Sequence, residues 1–290
     1  MADQAPRGGA GGAGGEARRG AGGPGGAEIL VLADAAAVAA EGARRTITAL
    51  AAAIDERHVA HIALTGGSTA GPLYRALAAP EHRAALDWSR VHLWWGDERF
   101  VPSDHPDSNA GLCYRELLGA GDGAGGGAPA LPIDPANVHP VPVEEVLSDD
   151  DPVELAAQRY VEELTRHILL ARGGVPRLDV LLSGLGPDGH VLSIFPGSPA
   201  LAADAPIALA IAAPEHVEPH IARVTLSARV IGDAGTVLVM ATGSGKAGIT
   251  ASVLGSERDL ERWPAQSALL PAAAWLLDTA AAHLLPPDRT

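Results

Sequence analysis

Five stretches of this sequence put polar and charged residues at the ends of apolar runs, where a folded chain can use them for chemistry. After Ile62–Leu64 comes Thr65-Gly66-Gly67-Ser68-Thr69. Its glycines allow a tight turn, and a following helix would offer free N–H groups and a favourable dipole to an anion. After Val91–Trp95 comes Gly96-Asp97-Glu98-Arg99, two carboxylates and a guanidinium. After Leu178–Leu182 comes Ser183-Gly184-Leu185-Gly186-Pro187-Asp188-Gly189-His190. A histidine set by glycines at a strand end is suited to proton transfer near neutral pH. Its neighbour Asp188 is the residue to orient it, though a separation of two residues leaves direct contact open. Arg223 opens Arg223-Val224-Thr225-Leu226, and Lys246 follows Gly243-Ser244-Gly245 at a helix start. Both are cations for an anionic ligand.

Three familiar motifs are approached and missed. Ala70 stands where a G-x-S-x-G nucleophile elbow needs its last glycine. Gly184, Gly186 and Gly189 match G-x-G-x-x-G, but Pro196 and Pro199 cut short the helix that a dinucleotide needs. Met240 and Ala247 break a P-loop reading around Lys246. The remaining histidines are scattered without ligand spacing and no zinc motif appears, so no metal site and no cofactor is expected. Cys113 is the single cysteine, which excludes an intramolecular disulfide and reads as a small helix residue.

The elements that must position these loops follow from periodicity. Further apolar runs suited to strands are Ile29–Leu32, Ile207–Ala212, Arg223–Leu226 and Val237–Ala241. Helical patterns cover Ala35 to Ile54, a segment from Ser68, Ser108 to Leu118, Val153 to Leu170 and a segment after Lys246. Ser108 and Asn109 read as the helix opening, with Ser108 as cap. Asp151-Pro152 reads as a cap with proline in the first turn. Strands alternating with helices imply an α/β fold, a doubly wound and largely parallel sheet with helices on both faces. Such a fold binds ligands beyond the carboxyl ends of its strands, and all five stretches lie at strand ends.

The chain has 290 residues, 47% of them hydrophobic and only 3% aromatic. That suffices for one sizeable core packed mostly with aliphatic side chains. Residues 1–26 are mostly Gly and Ala and read as a disordered tail, leaving residues 27–290 as a single domain. Gly119 to Ala130 reads as a long surface loop. The net charge of −14 disfavours nucleic acid and anionic membranes. An anionic substrate then needs local cations. With no signal-like N-terminus and no membrane-length apolar run, the expected location is cytoplasmic.

Taken in order, these segments resemble the 6-phosphogluconolactonase family. The likeness rests on Leu64–Thr69, Trp95–Pro102, Ser108-Asn109, Gly184–His190 with Phe195-Pro196-Gly197, Arg223–Leu226 and Gly245-Lys246. It spans about residues 28 to 285. Ala70 and Ile194 depart from the family's usual Pro and Leu. The related glucosamine-6-phosphate deaminases typically carry an aromatic after Asp-Glu and Asn-Glu-Pro after the histidine. Arg99 and Ser193-Ile194-Phe195-Pro196 favour the lactonase. A sugar-phosphate-sensing regulator would need a DNA-binding segment that residues 1–26 cannot form.

The resemblance implies hydrolysis of 6-phospho-D-glucono-1,5-lactone to 6-phosphogluconate in the pentose phosphate pathway, with no metal or covalent intermediate. It implies His190 as general base, Asp188 as its orienting partner and a role at the site for Asp97. Gly66, Gly67, Ser68, Thr69, Arg99, Arg223 and Lys246 would hold the substrate, while Glu98 reads as structural. The expected partner is this small molecule alone, without nucleic acid or membrane, for a monomer or weak homodimer.

Overall fold

The computed structural model describes residues 18–19, 23–119, 131–150, 152–171 and 173–286. In chain order the strands are β1 Arg18–Arg19, β2 Glu28–Leu32, β3 Ala60–Leu64, β4 Val91–Trp95 and β5 Asp97–Arg99, then β6 Val180–Gly184, β7 Ala208–Ile211, β8 Arg223–Leu226, β9 Thr236–Ala241 and β10 Ala273–Asp278. The helices are α1 Ala35–Arg57, α2 Ala70–Leu77, α3 Pro80–Arg83, α4 Asn109–Glu116, α5 Val143–Val146, α6 Pro152–His167, α7 Ala228–Asp233, α8 Ala247–Gly255 and α9 Thr279–Ala282.

Among the described residues the main sheet runs β1-β2-β10-β9-β6-β3-β4. All its neighbours pair parallel except the two-residue β1, which pairs antiparallel with β2. The expected doubly wound α/β fold is therefore present. Two expected strands, β7 and β8, leave the main sheet and join β5 in a small antiparallel sheet, order β5-β8-β7. Asp97–Arg99, expected as a loop, is a strand there. Its backbone pairs with Arg223–Thr225, which outweighs the poor strand propensity of three charged residues.

The aromatic-poor composition is explained by close packing. Helix α1 presents Ala39, Ala43 and Ala53 to the core. At Gly42 an added Cβ would meet Leu73 at 3.0 Å and the Met240 sulfur at 3.3 Å. Asp34 caps α1 by accepting from Ala37 N at 2.8 Å. The largest buried side chains are Trp94, Trp95 and Trp275. Tyr160 of α6 pins β4 by accepting from Trp95 N at 2.7 Å and donating to Trp95 O at 2.9 Å.

Ser108 caps α4 as expected, accepting from Gly111 N at 3.0 Å. Asp151 and residues 120–130 lie outside the described residues, as do residues 1–17 and 20–22 of the expected tail. The rest of residues 1–26 is engaged: Arg18 and Arg19 pair with Val31 and Leu30, and Pro24–Gly26 forms a 3₁₀ turn against Leu269 and Pro271.

Candidate active site

The strand order reverses between β3 and β6. From β3 the chain moves outward to β4, and from β6 it moves the other way through β9 to β10. Loops leaving the carboxyl ends at such a reversal diverge and open a crevice. Here the crevice is a cleft of about 170 Å³. The Thr65–Thr69 turn, the Gly184–His190 loop, β5, Arg223 and Lys246 line it. The sequence-predicted residues thus converge, with Asp188 set behind His190.

The Thr65–Thr69 turn is fixed from below. The buried Tyr74 hydroxyl donates to Thr65 O at 2.5 Å and accepts from Thr65 N at 3.2 Å. Gly67 has φ +82°, a backbone conformation costly for any side chain. Thr69 is the N-cap of α2 but makes no side-chain cap bond. Ser68 and Thr69 both line the cleft.

His190 is oriented by three contacts. Its Nδ1 lies 2.5 Å from Asp188 Oδ1, settling the open question of their contact. Its backbone N–H also donates to Asp188 Oδ1, at 3.2 Å. Phe195 packs edge-on against the ring, centroids 4.6 Å apart. Gly186 makes room for this arrangement, since a Cβ there would lie 2.1 Å from His190 Nδ1. Leu192, just beyond, is buried at φ +53°, a strained geometry for a branched side chain. It packs over Gly96, where a Cβ would lie 2.6 Å from its methyl.

Asp188 carries a second imidazole that sequence reasoning missed. His216 Nε2 lies 2.9 Å from Asp188 Oδ2. Burial alone would raise the Asp188 pKa, but bonds from His190 and His216 outweigh it and hold the carboxyl well below the usual range. With Asp188 ionised, its oxygens are acceptors and His190 Nδ1 is the donor. The imidazole then carries its free lone pair on Nε2.

Asp97 is buried, and its Oδ2 accepts from Ser193 Oγ at 2.6 Å. Ser193 was not anticipated either, since nothing in the Ser-Ile-Phe-Pro run marks it for this contact. The Arg223 guanidinium reaches the same hydroxyl at 3.4 Å and Pro219 O at 3.1 Å. It also sits 5.2 Å over the Phe195 ring. Arg223 is 2% exposed and its Nε has no partner among the described residues. Burial lowers its pKa, with the nearby Asp97 charge opposing.

Lys246 donates from Nζ to Leu185 O at 2.6 Å. Burial lowers its pKa, and the Asp188 charge acts the other way. Arg99 donates to Asp107 O at 2.7 Å. Three cations therefore face one cleft on a chain of net charge −14.

Glu98 turns away from the cleft and holds α4. It accepts from the backbone N–H of Arg99, Asn109 and Ala110 at 2.7, 2.8 and 2.7 Å, and from the Ser108 hydroxyl at 3.2 Å. Burial pushes its pKa up to about 7 against those bonds. Asn109 does more than open a helix. Its amide donates to Asp97 O at 2.9 Å and packs so close that a Cβ on Gly66 would lie 1.8 Å from its oxygen.

Comparison with known proteins agrees with this geometry. The model of the glucosamine-6-phosphate isomerase/6-phosphogluconolactonase family matches residues 33–276. The 6-phosphogluconolactonase of Streptomyces coelicolor is 34% identical over 260 residues, covering 89% of this chain and 95% of the relative. That of Mycobacterium leprae is 32% identical over 260 residues, covering 90% and 99%. The solved 6-phosphogluconolactonase of Trypanosoma brucei superposes with a TM-score of 0.74 at 28% identity, covering 89% of this chain and 98% of that one. A monomeric glucosamine-6-phosphate deaminase shares the fold, with a TM-score of 0.69 at 18% identity, covering 88% and 99%. The chain belongs to the glucosamine-6-phosphate isomerase/6-phosphogluconolactonase family.

Proposed function

We propose that this chain hydrolyses 6-phospho-D-glucono-1,5-lactone to 6-phospho-D-gluconate, using His190 as general base. The observation that carries the reading is the Asp188–His190 pair on a cleft with three cations. Curated relatives named 6-phosphogluconolactonase along nearly the whole chain support the same activity.

His190 Nε2 takes a proton from water as the water oxygen bonds to the lactone C1. The carbonyl π electrons move to oxygen and form a tetrahedral oxyanion. Arg223 is the nearest fixed cation to the Asp97–Ser193 wall and serves as a donor to that oxygen. Collapse of the intermediate breaks the bond from C1 to the ring oxygen, and His190 returns its proton to that oxygen. Asp188 stabilises the transient imidazolium. Proton transfer of this kind contributes ~10²–10⁴ in rate. An activated ester needs no metal and no covalent intermediate.

The phosphate lies on the Gly67–Thr69 turn at the N-terminus of α2, with Lys246 and Arg99. Asp97 shapes the wall opposite through Ser193. Among the described residues no helix is long and apolar enough to cross a membrane. We infer a cytoplasmic enzyme that acts on a small metabolite as a monomer or weak homodimer. The test is a side-by-side assay of phosphorylated gluconolactone hydrolysis and glucosamine-6-phosphate deamination. Rapid hydrolysis without ammonia release is expected. Ammonia release with hydrolysis at the spontaneous rate would reassign the chain to the deaminase reaction.

A further inference from the structure

At the opposite, amino-terminal end of the sheet, a second group of imidazoles converges from four elements. His61 on β3 and His92 on β4 are paired in register, and their rings lie 4.9 Å apart. Paired residues of parallel strands point to the same face. Val138 bridges Leu93, and His139 N donates to Leu93 O at 2.9 Å, so His139 extends the row beyond β4. The last turn of α6 lays His167 over this row, its ring 4.7 Å from that of His139. One nitrogen from each of His92, His139 and His167 falls within 4.8 Å of the others.

We propose that His92, His139 and His167, backed by Glu163, form a site for a first-row divalent transition ion of the zinc type. His92 Nδ1 and His139 Nε2 already share one hydrogen bond at 2.9 Å. A zinc ion bonds imidazole nitrogen at about 2.0–2.1 Å, so two ligands in a tetrahedral site stand about 3.3 Å apart. Replacing the shared proton by a cation opens this pair by only a few tenths of an ångström. His167 ends α6 on the surface.

Glu163 supplies the feature that distinguishes a ligand set from a chance cluster. Its Oε1 lies 3.2 Å from His139 Nδ1 and 3.0 Å from His167 Nε2. A carboxylate on one ring nitrogen fixes the tautomer and presents the other nitrogen to a metal. Trp94 stacks on His139 at 4.0 Å and 8°, locking the ring's plane from its apolar side. Imidazoles with one carboxylate suit zinc, nickel or copper, in contrast to the all-oxygen sets chosen by magnesium or calcium. His92, His139 and the α6 pair Glu163 and His167 come from three separate parts of the chain, so no spacing in the sequence joins the three histidines.

The test uses the full untagged chain, freed of metal by chelation and dialysis, and titrated calorimetrically with Zn²⁺. Saturable binding of one ion per chain is expected, with a rise in melting temperature. His167→Ala and Glu163→Gln change surface positions and should each weaken binding at least tenfold and remove most of that rise. With Co²⁺ the wild type should show the visible bands of a low-symmetry nitrogen-ligated ion, absent from His167→Ala. A His190→Ala chain should bind Zn²⁺ as the wild type does. Lack of saturable binding overturns the proposal, as does undiminished affinity in both His167→Ala and His139→Ala. Loss of binding in His190→Ala would move the ion to the catalytic cleft and overturn it equally.

Discussion

Asp188 and His190 are two residues apart in sequence, and their side chains meet at 2.5 Å between Oδ1 and Nδ1. The contact requires Gly189, at φ +87°, to reverse the chain between them, and Gly186 to clear the ring. Asp188→Asn keeps the shape and removes the anion that steadies the imidazolium. It should lower kcat by about 10²-fold, the lower part of what proton transfer contributes, with little change in KM. Steady-state kinetics at neutral pH check this.

The same pair makes a statement about stability. The Asp188 pKa is depressed in the folded state, so its contribution is present above the ordinary carboxylate pKa and fades as pH falls below about 4. Denaturant unfolding of wild type and Asp188→Asn should differ at pH 7. The difference should shrink steadily at lower pH. A gap that grows on acidification would mean the carboxyl is not held ionised by its two histidines.

Glu98 is expected to matter for the fold more than for chemistry. Its two oxygens take two backbone N–H groups and one hydroxyl at the start of α4, and the Arg99 N–H of β5. Glu98→Gln sets an NH₂ against those donors, and a buried mismatch of this kind costs about 1–3 kcal/mol. Equilibrium unfolding should show that loss. Turnover of the folded fraction should fall much less, through displacement of Asn109 and Asp97.

Phosphate recognition can be separated from catalysis by the substrate. Charge-assisted bonds to phosphate are worth about 1.5–3 kcal/mol, and about 1.4 kcal/mol is tenfold in affinity. Lys246→Met should therefore raise KM for the phosphorylated lactone by roughly one to two decades. Unphosphorylated gluconolactone offers that cation nothing to hold, so its hydrolysis should hardly change. An equal loss on both substrates would assign Lys246 to the carbonyl or to folding.

The parts of this molecule that could be read in advance were those with a local physical signature. Apolar runs such as Val91–Trp95 mark strands, and glycines beside polar residues mark loops at their ends. Asp97–Arg99 escaped because three charged residues become a strand only through pairing with Arg223–Thr225, more than a hundred positions away. Ala273–Asp278 was passed over because two alanines open it and dilute the strand signal. His216 and Ser193 meet Asp188 and Asp97 through tertiary contacts that leave no pattern in sequence. The same holds for His92, His139 and His167, which β4, the segment bridging its edge and α6 bring together.

His190 is the residue on which the proposed hydrolysis turns. The decisive measurement is hydrolysis of freshly generated 6-phospho-D-glucono-1,5-lactone, followed rapidly against the spontaneous background, for wild type and His190→Ala. The wild type should exceed the background by orders of magnitude. His190→Ala should lose at least about 10²-fold in kcat while keeping its circular dichroism and melting temperature. A folded His190→Ala chain within a few-fold of wild type would contradict the assignment of His190 as the base.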